Sequence, residues 1–134
     1  MSDTAFGMAW TGFALAVAVH VADEAAHDFL SVYNPTVRAV RARLPLLPIP
    51  TFTFGVWIGG LIAGVALLLA LSPLAFDGSP VLRAIAWPLA ILIGIGNGLL
   101  HLIGSAWQRR RLPGVLSAPL LLLAGAALLV AARN

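Results

Sequence analysis

Residues 18–35 read AVHVADEAAHDFLSVYNP, two imidazoles and three carboxylates at the end of a run that is otherwise hydrocarbon. How that stretch is read decides the fold. On a water-soluble helix the five groups would form an exposed face and need no partner. The rest of the chain removes that option. Of 134 residues, 60% are hydrophobic and 10% charged, and the mean hydropathy is +0.98. In water this balance would leave large apolar patches uncovered. The composition is that of a bilayer protein. In a bilayer a charge near the centre costs about 2.5–3.5 kcal/mol even on lenient insertion scales, so His20, Asp23, Glu24, His27 and Asp28 have to face inward and find partners.

Working outward, a helix needs about 20 apolar residues to cross a hydrocarbon layer of roughly 30 Å. Four stretches are long enough: 6–31, 53–72, 81–107 and 114–132. The expected fold is therefore all-α, a polytopic transmembrane four-helix bundle forming one membrane domain over 1–134. The separators are YNPT with the proline-spaced PLLPIP, then SPLAFDGSP, then RRRLPG, each rich in turn formers. Within the first connection, TVRAVRARL has the pattern of a short amphipathic helix lying on headgroups. The opening residues MSDTAFG lack a basic n-region, so the first apolar run is expected to stay as a membrane helix.

All eight basic residues are arginines. The first loop holds Arg38, Arg41 and Arg43 and the third holds Arg109, Arg110 and Arg111, whereas the second has Arg83 against Asp77. Because cytoplasmic loops collect basic residues, both termini are expected outside, with Arg133 pulling weakly the other way. The arginine-only set and the small size suggest a bacterial inner membrane, with the lipid bilayer as the main partner. The pI near 11.2 reflects these loop charges and no nucleic-acid-binding face. With no cysteine, disulfides, thiolate metal sites and thiol nucleophiles are excluded. There is no phosphate-binding glycine loop, serine elbow, nucleotide or haem signal, or internal repeat.

The two long polar-bearing spans can be set in register. Trp87 and Trp107 lie 20 residues apart, about 30 Å of helix, and read as the two ends of the third span. That puts Asn97 near the midplane and His101 one turn beyond. In the first span Trp10 is taken as the outer marker and Tyr33 as the inner one. His20 follows Trp10 by ten residues, as Asn97 follows Trp87, and Glu24 and His101 follow by fourteen. The two helices should share two polar levels. At about 100° per residue, with His20 at zero, Asp23 falls at about −60°, Glu24 at about +40°, His27 at about −20° and Asp28 at about +80°. One face carries them all, and the opposite face reads Ala18, Ala22, Ala25, Ala26 and Phe29. Gly94 and Gly98 offer a close-approach surface that would let the two polar strips meet, and Gly55, Gly59, Gly60 and Gly64 offer packing surfaces on the second span.

HVADE at 20–24, NGLLH at 97–101 and RLPGVLSAP at 111–119 resemble the HXXEE family of small integral membrane proteins. The resemblance implies a His-x-x-Glu-Glu signature in an early helix, an Asn-x-x-x-His signature in a later one, and a Pro-Gly turn leading into the next. His20 and Glu24 match the histidine and the second glutamate, with Asp23 in place of the first. Asn97, His101, Pro113 and Gly114 match the other two signatures. A tyrosine before the turn is absent and Ser117 stands where the family has threonine. The resemblance covers most of the chain and brings no assigned reaction.

Two functional classes suit these residues. The first is a membrane enzyme acting on a lipid-soluble small molecule. Glu24 or Asp23 would serve as general acid/base, His20 or His101 as proton partner, and Asn97 would stand beside them. Its variant is a single Zn or Fe held by His20, Glu24 and His101, a two-histidine, one-carboxylate set. Three histidines are too few for a desaturase-type diiron site. The second class is a proton-coupled or cation-binding transport module built on the same groups, small enough to call for an oligomer. His27 and Asp28 rank below Glu24 because they approach the headgroups, where titration in water is the ordinary state. The structural alternative is polar packing alone. Interhelical hydrogen bonds in membranes are worth about 0.6 kcal/mol on average, a small return for five ionisable groups. Duller roles suit the remaining signals: Trp57 as an interfacial anchor, Pro88 and Pro119 as kinks or helix starts, and Arg109–Arg111 as a topology anchor with affinity for anionic headgroups.

Overall fold

The structure, a computed structural model, describes residues 2–133. Every regular element among them is helical: α1 (Asp3–Ala26), α2 (Phe29–Arg43), α3 (Phe54–Ala70), α4 (Ser72–Phe76), α5 (Pro80–Pro88), a π-helical stretch (Leu89–Gly96), α6 (Asn97–Gln108) and α7 (Ala118–Ala131). The segments from α5 to α6 run on as one 29-residue rod, Pro80–Gln108. Two helices, α1 and this rod, are long and apolar enough to cross a membrane, and α3 and α7 are shorter apolar helices.

The ends of these helices follow from local chemistry. Ser2 caps α1 by accepting the Ala5 N–H, Thr53 caps α3 at Val56, and Ser79 caps α5 at Leu82, each serving one of the donors that a helix start leaves open. Pro80 stands at the first helical position, where its missing N–H costs nothing. Pro88 lies inside the rod and cannot donate to Ala84. The ladder absorbs this loss by opening into the π-helical stretch that begins at Leu89. That local unwinding ends immediately before Asn97.

The core forms where α1 packs against α3, α4 and α7, and α7 packs against the π stretch and α6. Phe6, Trp10 and Phe13 of α1, Leu82 of α5, and Leu121 and Leu128 of α7 are essentially inaccessible there. Backbone meets backbone at Gly94 and Gly125, where a Cβ on Gly94 would stand 2.7 Å from the Gly125 Cα. The outward faces are apolar, with Ile62, Leu92, Leu100 and Leu123 all exposed.

Several expectations are corrected. The first span does not run to residue 31: α1 stops at Ala26, and Asp28 adopts the left-handed conformation (φ 54°) that turns the chain into α2. YNPT is therefore no break, and Pro35 lies inside α2, which also absorbs the amphipathic segment expected at 36–44. The third span holds to within a residue at each end. The fourth helix starts at Ala118 instead of 114, behind a turn, and SPLAFDGSP contains the short helix α4. Trp10 is no interfacial marker, since it is 1% exposed and its indole N–H donates to the Leu68 carbonyl at 2.8 Å. Tyr33 belongs to α2, where its hydroxyl donates to the Pro50 carbonyl. Gly94 and Gly98 pack most closely on α7, at Gly125 and Leu122, and Gly94 also lies against Phe13 of α1. Gly55, Gly59, Gly60 and Gly64 have open space where a Cβ would point, so they pack on nothing among the described residues.

Candidate functional site

The polar residues gather where the last two turns of α1 pass α6 and the turn that starts α7. His20 and Glu24 are one helical turn apart on the same face of α1, and Asn97 and His101 are one turn apart on α6. The two pairs meet level by level. Asn97 Nδ2 lies 3.1 Å from His20 Nε2, and His101 Nε2 lies 3.0 Å from Glu24 Oε1. This is the pairing that counting from Trp10 and Trp87 predicts. Glu24 stands in the last turn of α1 and Ser117 just ahead of α7, so the cluster lies toward one end of the bundle.

Three of the clustered side chains are almost sealed, with His20 at 3%, Glu24 at 6% and His101 at 7% exposure. The two imidazoles pack edge to face with centroids 4.7 Å apart. His20 Nε2 stands 3.6 Å from Glu24 Oε1. One ligand atom from each of His20, Glu24 and His101 lies within 4.8 Å of the others.

A third element completes the site. Ser117 Oγ donates to Asp23 Oδ2 at 2.7 Å, and the Ser117 backbone N–H donates to the same oxygen at 2.9 Å. Asp23 of α1 thus caps the start of α7, where a carboxylate suits the positive end of the helix dipole. A hydroxyl has a single proton, so once it is given to Asp23, Ser117 Oγ accepts from His20 Nδ1, 2.8 Å away. That assignment leaves His20 Nε2 to accept from Asn97 Nδ2, with Glu24 Oε1 3.6 Å away. Gly114 supplies the roof. Its φ of +84° favours glycine, and a Cβ there would stand 2.7 Å from His101 Cε1 and 2.9 Å from His20 Cε1. The Pro113–Gly114 turn can lie flat on both imidazoles only because no side chain intervenes.

The remaining candidates lie around this centre. Asp23 turns away from Glu24 to serve Ser117 and His27, whose Nδ1 is 2.9 Å from Asp23 Oδ1 with its side chain half exposed. Asp28 sits at the helix break, exposed, and makes no side-chain capping bond. Phe29, expected on the face opposite the polar strip, is swung by the break at 27–28 to within 6.0 Å of the His101 ring and stacks on Trp57 at 5.7 Å. Trp57 is accordingly a buried stacking residue, not an interfacial anchor. No buried side-chain nitrogen or oxygen among the described residues lacks a hydrogen-bond partner.

Ser117 and Gly114 were not singled out as site residues by sequence reasoning. Their only signal is the motif RLPGVLSAP, because nothing in apolar periodicity marks a serine after a turn. Beside the cluster, a cleft of about 460 Å³ opens between α2 and α6, with Asn97 and His101 in its wall.

No curated protein and no solved structure matches this chain. A family model described as a protein of unknown function with an HXXEE motif matches residues 10–129, a span that takes in His20, Glu24, Asn97, His101, Gly114 and Ser117, and the chain belongs to that family.

Proposed function

We propose that this chain is a multi-pass membrane enzyme in which His20, Glu24 and His101 hold one zinc or iron ion and act on a lipid-soluble substrate. The observation that carries this is the mutual distance of the three ligand atoms, all within 4.8 Å on nearly sealed side chains from two helices. Ligands about 2.0–2.2 Å from a tetrahedral ion stand roughly 3.4 Å apart; the two separations from Glu24 Oε1, 3.0 and 3.6 Å, bracket that figure, and the two imidazoles, within 4.8 Å, would draw together on the ion. The chain Asp23–Ser117–His20 has the form of an outer shell that fixes a ligating imidazole through its other nitrogen. Asn97 Nδ2 lies 3.1 Å from the same ring's Nε2, so its amide would give way to the ion, and the Gly114 turn lies over both imidazoles. An ion so placed would polarise an oxygen of the substrate; acid/base work by Glu24 and the histidines is the variant of this reading in which no ion is held.

The same proposal places the chain in a bacterial inner membrane as a four-span bundle with both termini outside. The arginine-rich ends of α2 and α6 would then lie at the cytoplasmic surface, supported by the loop charges and by the apolar outer faces.

Proton or cation transport is the second function the geometry favours. Hydrogen bonds run without interruption from half-exposed His27 through Asp23 and Ser117 to buried His20. Comparing the lipid profile of cells lacking the chain with cells restored by wild type or by Glu24→Gln tests the enzyme. A lipid species consumed only when wild type is present is the expected result. An unchanged profile, with proton flux into liposomes lost in Glu24→Gln, would replace catalysis by transport.

A further inference from the structure

The cleft between α2 and α6 is larger than the cluster needs. Val32 and Tyr33 of α2 face Leu100 and Gly104 of α6 across it, Leu112 closes one side, and His101 stands in its inner wall. Its volume, about 460 Å³, is that of a small-molecule site. Gly104 helps keep it open, since a Cβ there would come within 3.1 Å of Leu112 Cδ1. At the other end lies Gln108, whose side-chain oxygen accepts a hydrogen bond from Arg110 Nε at 2.9 Å. Arg110 is followed by Arg111 and preceded by Arg109, and none of the three has a carboxylate within ion-pair distance among the described residues. The cleft therefore has an apolar body, a site residue at its inner end and uncompensated positive charge at its mouth.

We propose that this cleft holds one acyl chain of an anionic phospholipid, with the phosphate at Arg110. The inference rests on the proposed membrane placement and names the substrate class of the same site. Guanidinium groups pair with phosphate through paired N–H donors, and juxtamembrane arginines favour anionic over zwitterionic headgroups. His101 lies seven residues from Gln108, about 10 Å along the helix. With the phosphate at the mouth, the upper part of the acyl chain, not the headgroup, lies beside His101 and Glu24. The bond acted on would be found there.

Native mass spectrometry of the full chain in detergent, titrated with phosphatidylglycerol and with phosphatidylcholine of identical acyl chains, tests this. One phosphatidylglycerol per chain should be retained at least tenfold more tightly than phosphatidylcholine. Arg110→Gln, at an exposed side chain, should cut that preference to less than threefold. Leu100→Trp, which fills the cleft from a position 71% exposed, should weaken retention of both lipids about tenfold. Equal retention of the two lipids by wild type would overturn the proposal. So would phosphatidylglycerol binding untouched by Leu100→Trp, which would mean a lipid held on the arginines alone. Wild type that holds no zinc yet retains phosphatidylglycerol selectively would strike at the proposed metal centre alone, and wild type that holds zinc yet retains the two lipids equally would strike at the cleft alone.

Discussion

The same three helices are held together in two different ways at their two ends. At the end near the N-terminus, Phe6, Trp10 and Phe13 interlock with Leu82 and Leu128, and the rod and α7 touch backbone to backbone at Gly94 and Gly125. An ion pair, Arg83 with Asp3 at 2.8 Å, lies at the rim, where Arg83 also covers the Phe6 ring and donates to the Ala131 carbonyl. At the other end, His20, Glu24, Asn97, His101, Ser117 and Asp23 replace apolar packing with hydrogen bonds between three segments. Van der Waals packing of small and apolar residues would have closed both ends. On the proposed reading the polar end serves more than cohesion, so substitutions at the two ends should separate stability from ligand binding.

The largest effect should come from the apolar end. Phe13→Ala or Trp10→Ala should lower stability by about 3–5 kcal/mol, read by thermal unfolding in detergent. The fraction that stays folded should bind metal as wild type does. Glu24→Gln should do the reverse, lowering zinc affinity at least about 100-fold in a chelator competition, or about 2.7 kcal/mol, and changing stability by less than about 1 kcal/mol. A stability loss with no change in zinc affinity would return Glu24 to a packing role.

Ser117→Ala should weaken zinc about 10- to 100-fold, because it cuts the link from Asp23 to the His20 ring. Ser117→Thr keeps the hydroxyl and should restore affinity, an outcome that loss of a helix cap alone would not produce. The smallest effect belongs to Asp28. Its φ of 54° is cheaper for glycine, so Asp28→Gly should stabilise the fold by no more than about 1 kcal/mol and leave zinc affinity unaltered. A change in zinc affinity on that substitution would place Asp28 in the site after all.

The register of the two polar helices was readable because helical periodicity holds over long apolar runs. Ten and fourteen residues from a tryptophan gave the His20–Asn97 and Glu24–His101 levels. It held although Trp10 is buried and marks no interface, because the two helices are aligned whatever the tryptophans touch. The break at His27–Asp28 was hidden. No glycine or proline marks it, and a single left-handed residue is enough to end α1 and bring Phe29 round to His101. Glycine spacing marked a close-approach surface on the rod but could not say which helix uses it, and α7 does. Ser117 was invisible to periodicity because its role depends on a turn that places it against a residue 94 positions earlier.

The central claim is that two imidazoles and one carboxylate from separate helices converge on one ion. X-ray absorption spectroscopy on the full chain, purified without a histidine tag and loaded with zinc, tests it most directly. One ion per chain, with two imidazole nitrogens at about 2.0–2.1 Å and a carboxylate oxygen at about 2.0–2.2 Å, lost in Glu24→Gln and in His101→Ala, is the predicted result. A chain that retains no zinc, or zinc whose ligand shell is the same in both variants as in wild type, would contradict it.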